Sequence, residues 1–341
     1  MAITLKDVAN VIGVDPSVVS RVLNNKAGNY KISEVRKEEI KRVARDLGYI
    51  PNISARIIQD GCFGCVALLI SSDSGKSYLP SHLLESIHDE LERSNKHLLL
   101  TKLPDANSNE YSKMPKVLQT LMADGLIVDY THQVSGEIVS QIEKHTLPAV
   151  WLNVKRDKDS VFPDNIKAGE TAARKLIEAG HRRIAYITEI THFTDNYLAA
   201  HFSVKDRYLG YENEMKKSGL RPLNINNNNI LLPREKQVEY FMEILAQKDR
   251  PTAMLAYWTS ITSPIIQAAR NLRLRVPQDL SLITFASCMA ESGGLAIDAM
   301  IEPEKEMGIE AVRMLNEKMK NPGKVLPSRL IDFSYRDAGS I

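Results

Sequence analysis

The chain has 341 residues, of which 43% are hydrophobic and 25% charged, and its formal net charge is +2. This length allows two or three domains with a sizeable core, and the composition is that of a globular protein in water. No run approaches the roughly 20 apolar residues of a membrane span, and the first residues have the pattern of a capped helix rather than a signal peptide. We therefore expect a cytoplasmic protein with no membrane partner.

The N-terminal segment has the pattern of two short helices joined by a tight turn. Thr4 can cap the first helix, with Asp7 three residues later as in a capping box, and Gly13 ends it. Asp15 followed by Pro16 is a typical start for the second helix. Such a pair of helices is typical of a helix-turn-helix, although an ordinary amphipathic helical hairpin has the same pattern.

The outer face of the predicted second helix carries side chains suited to DNA. These residues share that face at helical spacing: Ser17, Ser20, Arg21 and Asn24. Arginine reads guanine edges, asparagine reads adenine, and serine bonds bases or phosphates. Residues 1–60 contain ten Lys and Arg against seven Asp and Glu, a modest basic bias that suits phosphate.

Two further helices are predicted before the chain enters its larger part. One begins at its cap Ser33 and ends at Gly48. After Pro51, Asn52 can cap a short helix over 53–59, which is marginal in water unless something covers its isoleucines.

Order and spacing over about sixty residues carry a resemblance to a known family. The segment LKDVANVIGVDPSVVSRVLN, the helix after Ser33 and the motif LGYIPN resemble the N-terminal signature of the LacI/GalR family of bacterial transcription regulators. Later segments, above all PDNIKAGETAARKLIEAGHRRIAYIT, are similar to the family at lower identity. The resemblance implies a regulator that binds double-stranded operator DNA as a homodimer.

The rest of the chain alternates short apolar runs with amphipathic helical stretches. Helices are predicted over 83–91, 111–121, 134–142, 168–179, 238–245, 265–272 and 304–319, with one more through Tyr208 and Met215. Repeated strand–helix units favour parallel sheets covered by helices, and two sets of them suggest two similar subdomains. With the resemblance, the predicted fold class is an all-α helix-turn-helix headpiece plus an α/β periplasmic-binding-protein-like core of two parallel-sheet subdomains.

The predicted domain limits follow from these patterns. The headpiece is 1–50, the hinge helix linker is 51–61, and the effector-binding and dimerisation core is 62–341. The core divides into an N-subdomain, about 62–163 plus 302–322, and a C-subdomain, about 164–301 plus 323–341. The helix 304–319 and the last strand 329–335 are expected to cross between the two halves.

The resemblance assigns ten residues to DNA contact: Thr4, Pro16, Ser17, Ser20, Arg21, Asn24, Ser33, Asn52, Ala55 and Ile58. Pro16 and Ser17 are expected to set base preference, and Arg21 to read a base. Ile58 stands where the family has a leucine that wedges between base steps in the minor groove, and packing on the core is its alternative role.

The resemblance assigns seven residues to an effector cleft between the subdomains: Asp73, Tyr78, Asn153, Asp164, Ser203, Arg207 and Trp258. Sugar-binding family members commonly carry amides and carboxylates where this chain has Trp258-Thr259 and Ala286-Ser287. Trp258 could stack on a sugar or base ring, with Arg207 and Asn153 as polar anchors. Alternatively, Trp258 packs in the core and the cleft takes an anionic metabolite, a protein partner or nothing.

The sequence thus predicts a transcriptional regulator, most readily a repressor, that is controlled by a sugar, sugar phosphate or other metabolite. Its alternative is a periplasmic-binding-protein-like ligand sensor with an altered or lost effector site. No metalloprotease, hydrolase or phosphate-loop motif is present, so we expect no enzyme, no cofactor and no metal. Cys62 and Cys65 form a C-x-x-C that lacks a partner motif for zinc, and we expect both to be small buried apolar residues.

Overall fold

The chain forms two compact units, Met1–Phe63 and Gly64–Ile341, in a computed structural model. The structure describes residues 3–23, 32–50, 62–72, 77–103, 122–131, 136–144, 147–188, 201–226 and 233–341. The predicted helices over 53–59 and 111–121 lie outside these residues.

The N-terminal unit contains three helices: α1 (Leu5–Ile12), α2 (Pro16–Leu23) and α3 (Glu34–Asp46). Their shared core is made of small and branched apolar side chains: Val8, Ala9, Val19, Val22, Ile40 and Ala44. Gly13 ends α1 with a left-handed φ of 69°, a conformation that glycine adopts without strain. This turn sets α2 against α1, as the sequence predicts.

The larger unit contains two sheets and seven helices in the described residues. The strands are β1 (Cys65–Ser71), β2 (His97–Leu103), β3 (Gly125–Asp129), β4 (Ala149–Leu152), β5 (Ser160–Pro163), β6 (Ile184–Thr188), β7 (Leu223–Asn226), β8 (Ala253–Ala256), β9 (Ser281–Ala286), β10 (Ala290–Ser292), β11 (Leu295–Ile301), β12 (Arg329–Ile331) and β13 (Ser334–Arg336). The helices are α4 (Ser81–Arg93), α5 (Gly136–Lys144), α6 (Asn165–Glu178), α7 (Phe202–Lys217), α8 (Arg234–Leu245), α9 (Thr262–Asn271) and α10 (Glu304–Lys320).

The first sheet is parallel throughout, with strand order β12-β5-β4-β3-β1-β2. The second has the order β10-β11-β9-β8-β6-β7, with β13 added antiparallel to β11. Every residue of β3, β8 and β9 is buried, because helices cover both faces of each sheet. The predicted α/β core of two parallel-sheet subdomains is therefore confirmed.

The segment predicted as one strand over 329–335 that crosses between the two halves forms two separate strands. Arg329–Ile331 pairs with β5 of the first sheet, and only Ser334–Arg336 reaches the second sheet. The assignment of 323–341 to the C-subdomain is thus wrong for β12. Asp332 and Phe333 lie between the two strands, so the chain passes from one sheet to the other there.

Two further observations concern membrane-spanning helices and the exposure of the two N-terminal cysteines. In the part of the chain that the structure describes, no helix is long and apolar enough to cross a membrane. The prediction of buried cysteines is wrong for Cys62, which is exposed, while Cys65 is half-buried at the start of β1.

Candidate functional site

The two helices of the N-terminal motif are fixed by local hydrogen bonds. The Thr4 N–H donates to Asp7 Oδ2 at 2.8 Å and the Asp7 N–H donates to Thr4 Oγ1 at 3.4 Å, which completes the predicted capping box. Asp15 Oδ1 accepts the Ser17 N–H at 2.8 Å at the start of α2. Hydrogen bonds from the Ser17 side chain and N–H lower the pKa of Asp15, so its carboxylate remains charged where the helix dipole favours it.

One face of α2 stays on the surface of the N-terminal unit. Val19 and Val22 are buried in the three-helix core, and Val18 is only half-buried. On the other side, Ser17 is exposed, and three predicted DNA contacts are half-exposed: Pro16, Ser20 and Arg21. This short polar face with one arginine is the arrangement that a recognition helix presents to the major groove.

The remaining predicted DNA contacts have other placements. Ser33 caps α3 by accepting the Arg36 N–H at 3.3 Å, and the Thr4 hydroxyl is already bonded to Asp7. The other four lie outside the described residues: Asn24, Asn52, Ala55 and Ile58.

The larger unit contains a cavity of about 250 Å³ at the carboxyl ends of strands from both sheets. Parallel α/β sheets bind ligands at this edge. The lining residues are Tyr78, Thr131, Asn153, Pro163, Asn165, His201, Ser203, Arg207, Tyr257, Trp258 and Glu302.

Most of the predicted effector contacts meet in this cavity: Tyr78, Asn153, Ser203, Arg207 and Trp258. Asp164 does not line it. Its carboxylate caps α6 by accepting the Lys167 N–H at 3.0 Å, and the next residue, Asn165, lines the cavity instead. Asp73 lies outside the described residues.

Arg207 projects from α7 and is 2% exposed. Its Nε donates to Asn165 Oδ1 at 2.8 Å and its Nη1 to the Tyr257 carbonyl at 3.1 Å. Its Nη2 forms a buried ion pair with Glu302. Four rings lie within 5.5 Å of the guanidinium carbon: Tyr257, Trp258, Phe285 and Phe333. These contacts hold the arginine in one place and satisfy its charge within the protein.

Glu302 is the main lining residue that the sequence reasoning missed. It follows β11 directly and precedes α10, and the sequence signal for it is a charged residue at the carboxyl end of a buried strand. The other missed residues are Thr131, Pro163, Asn165, His201 and Tyr257.

A chain of polar contacts runs along another wall of the cavity. The His201 Nε2 lies 3.2 Å from the Asn153 carbonyl, and its Nδ1 lies 2.8 Å from Ser203 Oγ. Ser203 Oγ is in turn 2.8 Å from the Tyr257 hydroxyl. Asn153 has a left-handed φ of 55°, and its buried Oδ1 has no hydrogen-bond partner among the described residues. An acceptor of this kind is available to a ligand.

Trp258 belongs to both the wall and the core. Its ring is half-buried against the core of the second sheet and stands edge-on to Tyr78, with ring centroids 6.3 Å apart.

Lys155 Nζ, after β4, donates to Asp206 Oδ2 of α7 at 2.6 Å, so the two halves also meet beside the cavity.

Known proteins share both the sequence and the fold. Residues 4–52 match the profile of bacterial regulatory proteins of the lacI family, and residues 173–337 match a periplasmic binding protein-like domain. The probable HTH-type transcriptional regulator EndR of Paenibacillus polymyxa is 30% identical over 94% of this chain and 91% of its own length. The chain belongs to the LacI family.

Other members support this assignment. The ribose operon repressor of Haemophilus influenzae is 26% identical over 94% of this chain and 93% of its own. The lac repressor dimer bound to operator and an anti-inducer is 18% identical, has a TM-score of 0.72, and aligns over 100% of this chain and 99% of its own, which establishes the shared fold. As a LacI-family protein, this chain is a DNA-binding transcriptional regulator rather than an enzyme.

Proposed function

We propose that this LacI-family regulator represses transcription by binding a palindromic operator as a homodimer, under control of a small molecule bound in the cavity of the core. The observation that carries the DNA part is the surface face of α2, where Ser17, Ser20 and Arg21 stand outside a fixed three-helix core. We place the protein in the cytoplasm, where its DNA is.

The predicted hinge and dimer belong to the same proposal. Residues 51–61 would connect the headpiece to a core that begins near Cys62, and Asn52, Ala55 and Ile58 would contact the minor groove. A headpiece with one recognition helix reads one half-site, so two copies related by a twofold axis are needed for a palindrome. The lac repressor, which has the same fold, is a dimer on its operator.

The cavity supports control by an effector. It has the small concave shape and mixed aromatic and polar wall of a ligand site, and Asn153 Oδ1 offers it an unused acceptor. Five residues would contact the effector: Tyr78, Asn153, Ser203, Arg207 and Trp258. The relative from Haemophilus influenzae is named for ribose, and a sugar or related metabolite fits the site proposed here.

An operator selection tests the DNA part. The full-length protein would be incubated with a library of duplexes whose two half-sites are randomised, and retarded DNA would be sequenced over several rounds. The expected result is a symmetric consensus bound by two chains per duplex, with affinity that falls steeply as salt rises. No retardation at low salt by purified dimer would count against DNA binding.

A separate screen tests the effector part. The melting temperature of the full-length protein would be measured with sugars, nucleosides and their phosphates, because a ligand that binds only the folded state raises it. An Asn153→Ala variant should lose the response to any ligand found. A response that is unchanged in this variant would place the ligand elsewhere.

A further inference from the structure

The cavity wall carries one positive and one negative group, and they are bonded to each other. Among the described lining residues, the basic and acidic side chains besides His201 are Arg207 and Glu302, and the Glu302 side chain is 10% exposed. His201 fits the neutral imidazole, because its Nε2 faces the Asn153 carbonyl, which can only accept, while Nδ1 accepts the Ser203 N–H. The described wall therefore has no net charge.

An anion could use Arg207 only at the cost of this pair. The three acceptors that Arg207 already holds come from Asn165, Tyr257 and Glu302. A ligand phosphate or carboxylate that displaced Glu302 from Arg207 would leave the Glu302 carboxylate buried and unpaired. The negative charge of the ligand would also lie close to it. Breaking a buried ion pair in this way is strongly unfavourable.

The rest of the wall favours a neutral ligand with a donor group. Asn153 Oδ1 is buried without a partner among the described residues, so an O–H or N–H from a ligand would satisfy it. The rings of Tyr78, Tyr257 and Trp258 offer apolar surface for a flat or ring-shaped molecule.

We infer that the effector cavity selects uncharged, ring-shaped ligands that donate a hydrogen bond to Asn153, and that Glu302 excludes their phosphorylated forms by neutralising Arg207. The inference rests on the proposed effector site and names the chemical class that this site takes. Neutral saccharides and nucleosides both have this chemistry, so the test must separate them.

The first test uses inorganic phosphate as the probe on the full-length protein. Melting temperatures are compared in sodium phosphate and in sodium chloride of equal ionic strength for the wild type, Glu302→Gln and the double variant Arg207→Met with Glu302→Gln. Phosphate stabilises most proteins slightly by exclusion from their surface, and the wild type and double variant measure that background. Glu302→Gln should show an additional rise of at least about 2 °C, because phosphate then pairs with the uncompensated arginine.

Each outcome of this test decides the inference. The inference would be overturned if phosphate raised the melting temperature of the wild type more than that of the double variant. It would also be overturned if Glu302→Gln were folded and its melting temperature rose no more than that of the double variant. Should Glu302→Gln be unfolded in chloride, phosphate should restore its far-UV circular dichroism, and failure to restore it would also overturn the inference.

A second test compares matched pairs by calorimetry on the wild type: ribose with ribose 5-phosphate, and adenosine with adenosine monophosphate. In the pair that the protein binds, the neutral compound should bind at least about tenfold more tightly than its phosphorylated form. Binding of the ribose pair would identify the ligand class as a saccharide, and binding of the adenosine pair would identify it as a nucleoside. Tighter binding of the phosphorylated member, lost in Arg207→Met, would overturn the inference. These readouts do not involve DNA, so failure of operator binding and failure of the charge argument remain distinguishable.

Discussion

The phenol of Tyr78 donates a 2.9 Å hydrogen bond to Oε1 of Glu304, and its oxygen lies 2.5 Å from Ser287 Oγ. Tyr78 follows β1 of the first sheet, Ser287 follows β9 of the second, and Glu304 begins the helix α10. One side chain thus joins both halves of the core beside the cavity. Burial raises the pKa of the Tyr78 phenol, and the nearby Glu302 adds to this, so the phenol remains a donor.

We predict that Tyr78→Phe destabilises the core by about 1–3 kcal/mol. Glu304 is 3% exposed, and its carboxyl accepts side-chain hydrogen bonds from Tyr78 and Ser287, so loss of the phenol would remove one of these two bonds from a buried group. The free energy of unfolding would be measured by urea titration of the full-length protein.

A double-mutant cycle with Glu304→Gln isolates this contact. The coupling between the two changes should exceed about 0.5 kcal/mol, as for residues in direct contact. Ser287→Ala keeps the Tyr78–Glu304 bond and should cost less than Tyr78→Phe. Strictly additive effects of the two changes would show that the hydrogen bond does not stabilise the core.

We also predict that Gly210→Ala destabilises the core by about 1–3 kcal/mol. Helices α6 and α7 approach so closely that a Cβ at Gly210 would collide with the Ile166 carbonyl oxygen, and one at Gly169 with the Arg207 carbonyl oxygen. Gly136→Ala is the matched control, since the first residue of α5 has open space around it and should gain or lose less than about 1 kcal/mol. Equal losses in the two variants would contradict the packing argument.

The periodic parts of this fold could be predicted from the sequence because their signals are local. Apolar spacing gave α10 as 304–319 where the structure has Glu304–Lys320, and the capping residues gave both ends of α1. The family resemblance added the cavity residues Asn153 and Arg207, because they follow recognisable motifs.

The missed features depend on distant parts of the chain. Glu302 matters because it pairs with Arg207, 95 residues away, and no periodicity records such a partner. Asp164 and Asn165 are adjacent, yet Asp164 is the non-helical cap whose carboxylate accepts a first-turn N–H of α6, while Asn165 is the first helical residue and lines the cavity. The split between β12 and β13 is set by pairing with two different sheets, which a continuous apolar pattern cannot show.

Asp129 gives a prediction about pH. It is 0% exposed at the end of β3, and burial raises its pKa well above the ordinary value, although the Tyr78 backbone N–H acts in the opposite direction. Between the pKa of the unfolded chain and that of the fold, only the folded state keeps the proton, so stability falls as pH rises. Asp129→Asn should therefore gain stability over the wild type as pH rises above the ordinary aspartate pKa of about 4, by up to about 1.4 kcal/mol per pH unit.

Urea titrations at four pH values would check this, with Asp298→Asn as the control. Asp298 is equally buried, but its carboxylate accepts hydrogen bonds from the Tyr335 hydroxyl at 3.0 Å and from the Ala338 N–H. Its replacement should lower stability across the whole range. A pH-independent difference between Asp129→Asn and the wild type would contradict burial as the cause of the raised pKa.

The final prediction concerns base reading by α2. Arg21→Ala should reduce discrimination at one base pair of each half-site by about 1–3 kcal/mol, because a bidentate contact to a guanine would be lost. The measurement is competition between the selected operator and variants with single symmetric base changes, at fixed salt. Arg45→Ala removes the same charge from an exposed position in the last turn of α3 and should leave the preferred sequence unchanged. If Arg21→Ala instead weakened binding to every duplex by the same factor, Arg21 would contact the phosphate backbone, because phosphate contacts carry no sequence information.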